Sequence, residues 1–262
     1  MIKKELRIFF TALMFYTRIP CPKWVDHSAS YLNQSTRYFP LIGWIVGLLC
    51  FAVYYGVSCL FPADISVIIS MVTGIFVTGA FHEDGFADVC DGFGGGWTKQ
   101  KILDIMKDSR VGAFGVIGLI LLFLLKFTLL LHIAQNGNIA PATLLALFIA
   151  AHSLSRLAAI SIVFTHQYAR ESDSSKIKPV AEKYTWKEIS GAFFFGLAPL
   201  IYLALYHYQI MYALIPVFIF RFLLARYFDK WIGGYTGDCL GATQQVGEIV
   251  FYLSVIGIWK FI

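Results

Sequence analysis

Between positions 83 and 108 the chain gathers Glu83, Asp84, Asp88, Asp91, Asp104 and Asp108, six of its 16 acidic residues. Asp84, Asp88 and Asp91 stand at i, i+4 and i+7, so on a helix their carboxylates share one face within about two turns. Three like charges on one face repel unless something positive sits among them. The donors are oxygens with no His/Cys cluster beside them, which points to a hard cation, Mg²⁺ or Mn²⁺, rather than zinc or copper. Gly85 and Ala87 keep the other side of that helix small, so a substrate or a neighbouring helix can approach closely. Gly94, Gly95 and Gly96 then end the helix. They either free main-chain N–H groups for a phosphate or form only a flexible turn.

A second cluster is Asp104-Ile105-Met106-Lys107-Asp108-Ser109-Arg110-Val111-Gly112. Asp104 and Asp108 are again four apart, Lys107 is a point charge, and Arg110 can grip phosphate oxygens in bidentate fashion. A third is Gly234-Tyr235-Thr236-Gly237-Asp238-Cys239-Leu240-Gly241-Ala242, followed by Gln244, Gln245 and Glu248. It combines small residues with the carboxylates of Asp238 and Glu248 near the start of the last apolar run. Arg156, in His152-Ser153-Leu154-Ser155-Arg156, lies deep in an apolar segment, where an unpaired charge is costly, and so calls for an acidic or phosphate partner. Lys126 is a similar cation with no evident partner. His82 can accept a proton, since an imidazole ordinarily titrates near neutrality, or it is simply an interfacial polar residue. Metal-binding carboxylates with basic groups, and no candidate covalent nucleophile, suit transfer of a phosphoryl-type group from a diphosphate.

The elements that must position these groups are membrane helices. Of 262 residues, 58% are hydrophobic and 14% charged, with a mean hydropathy of +0.69; soluble domains carry roughly a quarter charged residues. Apolar runs of about the length that crosses a bilayer fall at 39–60, 65–82, 113–134, 141–164, 188–206, 211–228 and 245–261. The expected fold is all-α, a polytopic helical bundle of six or seven spans forming a single domain over 1–262. Residues 1–16 read as an amphipathic surface helix rather than a cleavable signal, with Leu6, Phe9, Phe10, Leu13 and Met14 on one side. The connections 61–64, 135–140 and 207–209 contain no Lys or Arg. Segments 1–38, 83–112, 165–187 and 229–244 hold most of them, which places those segments, and the acidic site with them, on the cytoplasmic side. The same bias accounts for the net charge of +5 without a nucleic-acid partner. Five scattered cysteines with no C-x-x-C pair argue against a zinc site or a disulfide framework.

At these residues the chain resembles the cobalamin synthase family. The matching pieces begin with Phe15-x-Thr17-Arg18-Ile19-Pro20 and Phe39-Pro40-Leu41-Ile42-Gly43. Then come Gly79-x-Phe81-His82-x-Asp84-Gly85-x-Ala87-Asp88-x-x-Asp91-Gly92 and Ile105-Met106-Lys107-Asp108-Ser109-Arg110-x-Gly112. The last is Gly233-Gly234-x-Thr236-Gly237-Asp238-x-x-Gly241-Ala242 with Glu248. Glu83 stands where the family usually has an apolar residue, and ranks below the three aspartates as a ligand.

The resemblance implies an Mg²⁺-dependent enzyme of a prokaryotic inner membrane. It joins adenosylcobinamide-GDP to α-ribazole or its 5′-phosphate and releases GMP. It also implies that Asp84, Asp88 and Asp91 hold the metal and that Lys107 and Arg110 steady the GDP phosphates. Ser109, Arg156, Thr236 and Glu248 complete the substrate-binding set, and Asp108, Asp238 or His82 takes the proton from the attacking hydroxyl. The aspartate pattern also looks like that of CDP-alcohol phosphotransferases, which expect an Arg where Asp88 follows Ala87. A divalent-cation transporter would place its acids in mid-span on several helices. Besides the bilayer and the two substrates, a second copy of the chain is compatible with the small-residue helix faces.

Overall fold

A computed structural model describes residues 2–25, 28–136, 139–169 and 184–260. Eleven α-helices follow one another among these residues: α1 (Ile2–Tyr16), α2 (Ala29–Ser35), α3 (Phe39–Ser58), α4 (Ala63–Thr78), α5 (Phe81–Gly95), α6 (Lys99–Ile105), α7 (Ala113–Ala134), α8 (Pro141–Val163), α9 (Trp186–Tyr206), α10 (Leu214–Ile232) and α11 (Gly237–Trp259). No strand occurs among the described residues; a lone bridge joins Tyr168 to Tyr235. The all-α expectation is met.

Among the described residues six helices are long and apolar enough to cross a membrane. The core sits on α8, which is buried along almost its whole length and packs against α3, α9 and α11. The runs predicted at 39–60, 113–134, 141–164 and 188–206 correspond to α3, α7, α8 and α9. The sixth begins later than expected as an α-helix, after a 3₁₀ turn over Tyr208–Ala213. The seventh begins earlier, at Gly237. Its first turns carry polar Gln244 and Gln245, which hide inside the bundle instead of facing water, so hydropathy alone misses them.

The run at 65–82 departs most from expectation. It does not continue into the acidic segment as one helix. α4 has only 16 residues, too few at 1.5 Å per residue for a hydrocarbon core of about 30 Å. Gly79 (φ 66°) and Ala80 (φ 57°) then adopt left-handed backbone, and α5 leaves at 89° to α4. Gly79 is required here, because φ is positive and the Arg18 side chain lies where a Cβ would stand. The Arg18 N–H also donates to the Val77 carbonyl at 2.8 Å, fastening the chain after α1 to the corner.

Three Lys/Arg-bearing segments meet at the α5 end of the bundle. α5 packs on α11, and α6 packs on α10. The Ala169 N–H donates to the Tyr235 carbonyl at 2.8 Å, and the Tyr235 N–H to the Gln167 carbonyl at 3.0 Å. Of the cations behind the topology, Arg170, Lys176, Lys178 and Lys183 lie outside the described residues.

Candidate active site

α5 holds the aspartates of the first cluster on a single helix, as their spacing requires. Asp84 is exposed and Asp88 half-buried, while His82 and Glu83 turn inward. The helix is pressed against the start of α11. A Cβ on Gly85 would lie 2.9 Å from Asp238 Cα, and one on Gly241 would lie 3.1 Å from the His82 carbonyl oxygen. The small residues therefore serve a neighbouring helix, and they join two clusters from distant parts of the sequence.

Asp91 has a different task from its neighbours. Its Oδ2 accepts from the Gly112 N–H at 2.7 Å and its Oδ1 from the Gly115 N–H at 2.8 Å. A buried carboxylate thus caps the N-terminus of α7, where main-chain donors and the helix dipole favour negative charge. Among the described residues no three acidic, His or Cys side chains form a ready-made metal cage. Of the three aspartates expected at a metal, Asp91 is turned to α7, whereas Asp84 is exposed and Asp88 half-buried on the same helix.

The second cluster splits. Asp104 stands in the last turn of α6 and accepts from the Gln100 amide at 2.8 Å, whereas Asp108 lies in the turn beyond it, so the two do not share a helix face. Arg110 clasps Asp108, with Nη2 to Oδ2 at 2.6 Å and Nε to Oδ1 at 3.0 Å. This clasp holds the Asp108 carboxyl well below its ordinary value, at about 2. Lys107, Ser109 and Arg110 are exposed. Gly94 and Gly95 are the last residues of α5, and the Gly96 N–H donates to the Gly92 carbonyl at 2.9 Å. A Cβ on Gly94 would strike Phe114, and one on Gly96 would strike Ile102; both are spent on packing.

Thr236 is spent as well. Its buried hydroxyl caps α11, accepting from the Cys239 N–H at 3.3 Å. It also donates to Asp238 Oδ2 at 3.2 Å, which orients the half-buried Asp238 beside Gly85.

His82, Arg156 and Glu248 come together elsewhere, in the interior. Lys126 Nζ pairs with Glu248 Oε1 at 2.7 Å. Gln244 Nε2 donates to Glu248 Oε2 at 3.0 Å, and His152 Nδ1 is 3.4 Å from the same oxygen. Gln245 Nε2 donates to Glu83 Oε1 at 2.9 Å. Arg156 Nη1 donates to the His152 carbonyl at 2.9 Å, and its guanidinium lies over the Phe39 ring at 5.7 Å. These groups line a cavity of about 30 Å³, room for one or two waters and far too small for a nucleoside. His82, Glu83 and Arg156 line this space, and their Nε2, Oε2 and Nε atoms respectively have no hydrogen-bond partner among the described residues. Lys126 and Glu83 are the members that sequence reasoning undervalued; a charge in mid-span was the available signal for Lys126.

Residues 8–256, a range that takes in every group described above, match the family model for cobalamin-5-phosphate synthase (CobS). The chain belongs to the cobalamin-5-phosphate synthase family. Three relatives, each named adenosylcobinamide-GDP ribazoletransferase, extend the match to nearly full length. The protein of Leptospira interrogans is 45% identical, covering 100% of this chain and 99% of its own. That of Shewanella amazonensis is 45% identical with 98% of each chain covered. That of Shewanella frigidimarina is 42% identical over 97% and 96%. No solved structure matches the chain.

Proposed function

We propose that this member of the cobalamin-5-phosphate synthase family is an adenosylcobinamide-GDP ribazoletransferase. It joins adenosylcobinamide-GDP to α-ribazole, or to its 5′-phosphate, and releases GMP. The observation that carries the reading is the position of Asp84 and Asp88 on α5. They stand at the polar end of the bundle, where α11 brings Asp238 against the same helix.

The donor set fits Mg²⁺, which is commonly held by one or two carboxylates together with substrate phosphates rather than by an all-protein cage. Asp84 and Asp88 would hold it, and bound there it offsets charge on the diphosphate. Lys107 and Arg110 bind the phosphate oxygens; Arg110 must release Asp108 to do so, exchanging one anionic partner for another. A ribose hydroxyl of the acceptor, one that is free in α-ribazole and in its 5′-phosphate alike, forms the new O–P bond as the P–O bond to GMP breaks, and GMP leaves with the electron pair. Of the three acceptors considered for the hydroxyl proton, His82 faces the interior and Asp108 is clasped by Arg110. Asp238, oriented by Thr236 next to α5, is the one we assign.

The chain then resides in a prokaryotic inner membrane with this end facing the cytoplasm, as the Lys/Arg distribution supports. A second copy remains a proposed partner, although the small faces of Gly43, Gly85 and Gly241 are taken up inside the bundle.

The test is GMP release by detergent-purified protein given adenosylcobinamide-GDP and α-ribazole, with Mg²⁺ or with EDTA. Product abolished by EDTA, and lowered at least about 100-fold by Asp84→Asn, supports the reading. No product from folded protein under any divalent cation overturns it.

A further inference from the structure

Away from the acidic end, the first turns of α1 carry Lys3, Lys4 and Arg7, all exposed. No acidic side chain among the described residues pairs with them. Glu5, the nearest on the helix, is turned to Arg37 at 3.4 Å and to the Tyr38 hydroxyl at 2.9 Å. The three cations line a groove of about 350 Å³ together with Leu6, Trp24 and Tyr31. Trp24 is held edge-on against Phe10, ring centroids 5.4 Å apart, so the far wall is fixed. Of the lining residues Leu6 and Trp24 are 46% and 49% exposed, and Ile2, one helical turn before Leu6 on α1, is 77% exposed. Water is a poor environment for that trio, whereas the boundary between headgroups and acyl chains suits cations flanked by aliphatic and indole groups.

We propose that this groove is a binding site for an anionic phospholipid of the bilayer that the six spans imply. Its phosphodiester would be bound by Lys3, Lys4 and Arg7, and its glycerol and upper acyl carbons would lie on Ile2, Leu6 and Trp24. Charge complementarity selects the anion. The exposed apolar edge, which a free phosphate could not cover, selects a lipid as its source. The site is separate from α5 and stands whether or not the transferase reading does.

The test is native mass spectrometry of the full chain in detergent. The probes are phosphatidylglycerol, phosphatidylcholine with the same acyl chains, and glycerol 3-phosphate. Wild type should retain about tenfold more phosphatidylglycerol than phosphatidylcholine. Lys3→Ala/Lys4→Ala/Arg7→Ala should bring the two to near parity while gel-filtration elution and helical circular dichroism stay unchanged, because these side chains support no other part of the fold. Leu6→Gln, with all three charges kept, should lower phosphatidylglycerol retention at least threefold. Parity in wild type, or a preference untouched by the triple substitution, overturns the proposal. So does displacement of the lipid by equimolar glycerol 3-phosphate, which would make the groove a site for a small soluble anion.

Discussion

Lys126 of α7 and Glu248 of α11 form an ion pair at 2.7 Å in the interior of the bundle. Each charge has been taken out of water, so each is tolerable only while the other is present. Lys126→Met should destabilise the protein by roughly 3–5 kcal/mol by leaving Glu248 under-compensated, while Lys126→Met/Glu248→Leu should recover most of that loss. Thermal unfolding in detergent checks this. A double variant no more stable than the single one would show that the pair is not the reason for the cost.

Asp91 and Asp84 should respond differently to the same change. Asp91→Asn keeps an oxygen for the N-terminus of α7 and should reduce GMP release by about tenfold or less. Asp91→Ala loses the cap and should cost about 1–2 kcal/mol of stability. Asp84→Asn should do the reverse, sparing stability and abolishing turnover. Equal kinetic losses at the two positions would restore Asp91 to the metal site.

The corner between α4 and α5 predicts opposite effects at adjacent residues. Gly79→Ala meets both a positive φ and the Arg18 side chain and should destabilise by about 1–2 kcal/mol. Ala80→Gly relieves a left-handed backbone at a residue that has a Cβ, and should be neutral or stabilising by up to about 1 kcal/mol. Melting temperatures of the two variants, taken side by side, decide whether the corner is built as described.

Asp108 gives the pH prediction. Its carboxyl is depressed from 3.8 to about 2 by Arg110. A depressed acid contributes stability that is present above its unfolded value and is lost as pH falls through the folded one, here from 3.8 towards 2. Asp108 is therefore a fixed anion throughout the neutral range. Asp108→Asn should leave the limbs of the pH–rate profile between about pH 5 and pH 9 where they are in wild type. A limb displaced by about half a unit or more would make Asp108 the proton acceptor in place of Asp238.

The apolar run over 113–134 predicts α7 to the residue, because Gly112 before it and polar Gln135 after it mark both ends. The aspartate spacing likewise predicts the helix that carries Asp84, Asp88 and Asp91. The 89° corner is illegible, because hydropathy carries no record of two left-handed residues. The inward turn of Glu83 is a matter of rotation. One residue on a helix is about 100° of azimuth, enough to separate a side chain bonded to Gln245 from its exposed neighbour Asp84. Lys126 looks partnerless because its partner comes from a helix far along the chain, and no local pattern reports such a contact.

The seating of Gly85 against Asp238 also bears on how the protein is made. The ribosome releases the aspartates of α5 when less than half of the chain has been synthesised, yet the helix they must rest on is the last to be inserted. Until α11 arrives, the Gly85 face of α5 has no backbone to lie against, Glu83 lacks Gln245, and Lys126 lacks Glu248. A nascent or truncated chain therefore exposes acids to the aqueous side without the surface that orders them. Competence for catalysis comes late in biogenesis, with the closing helix.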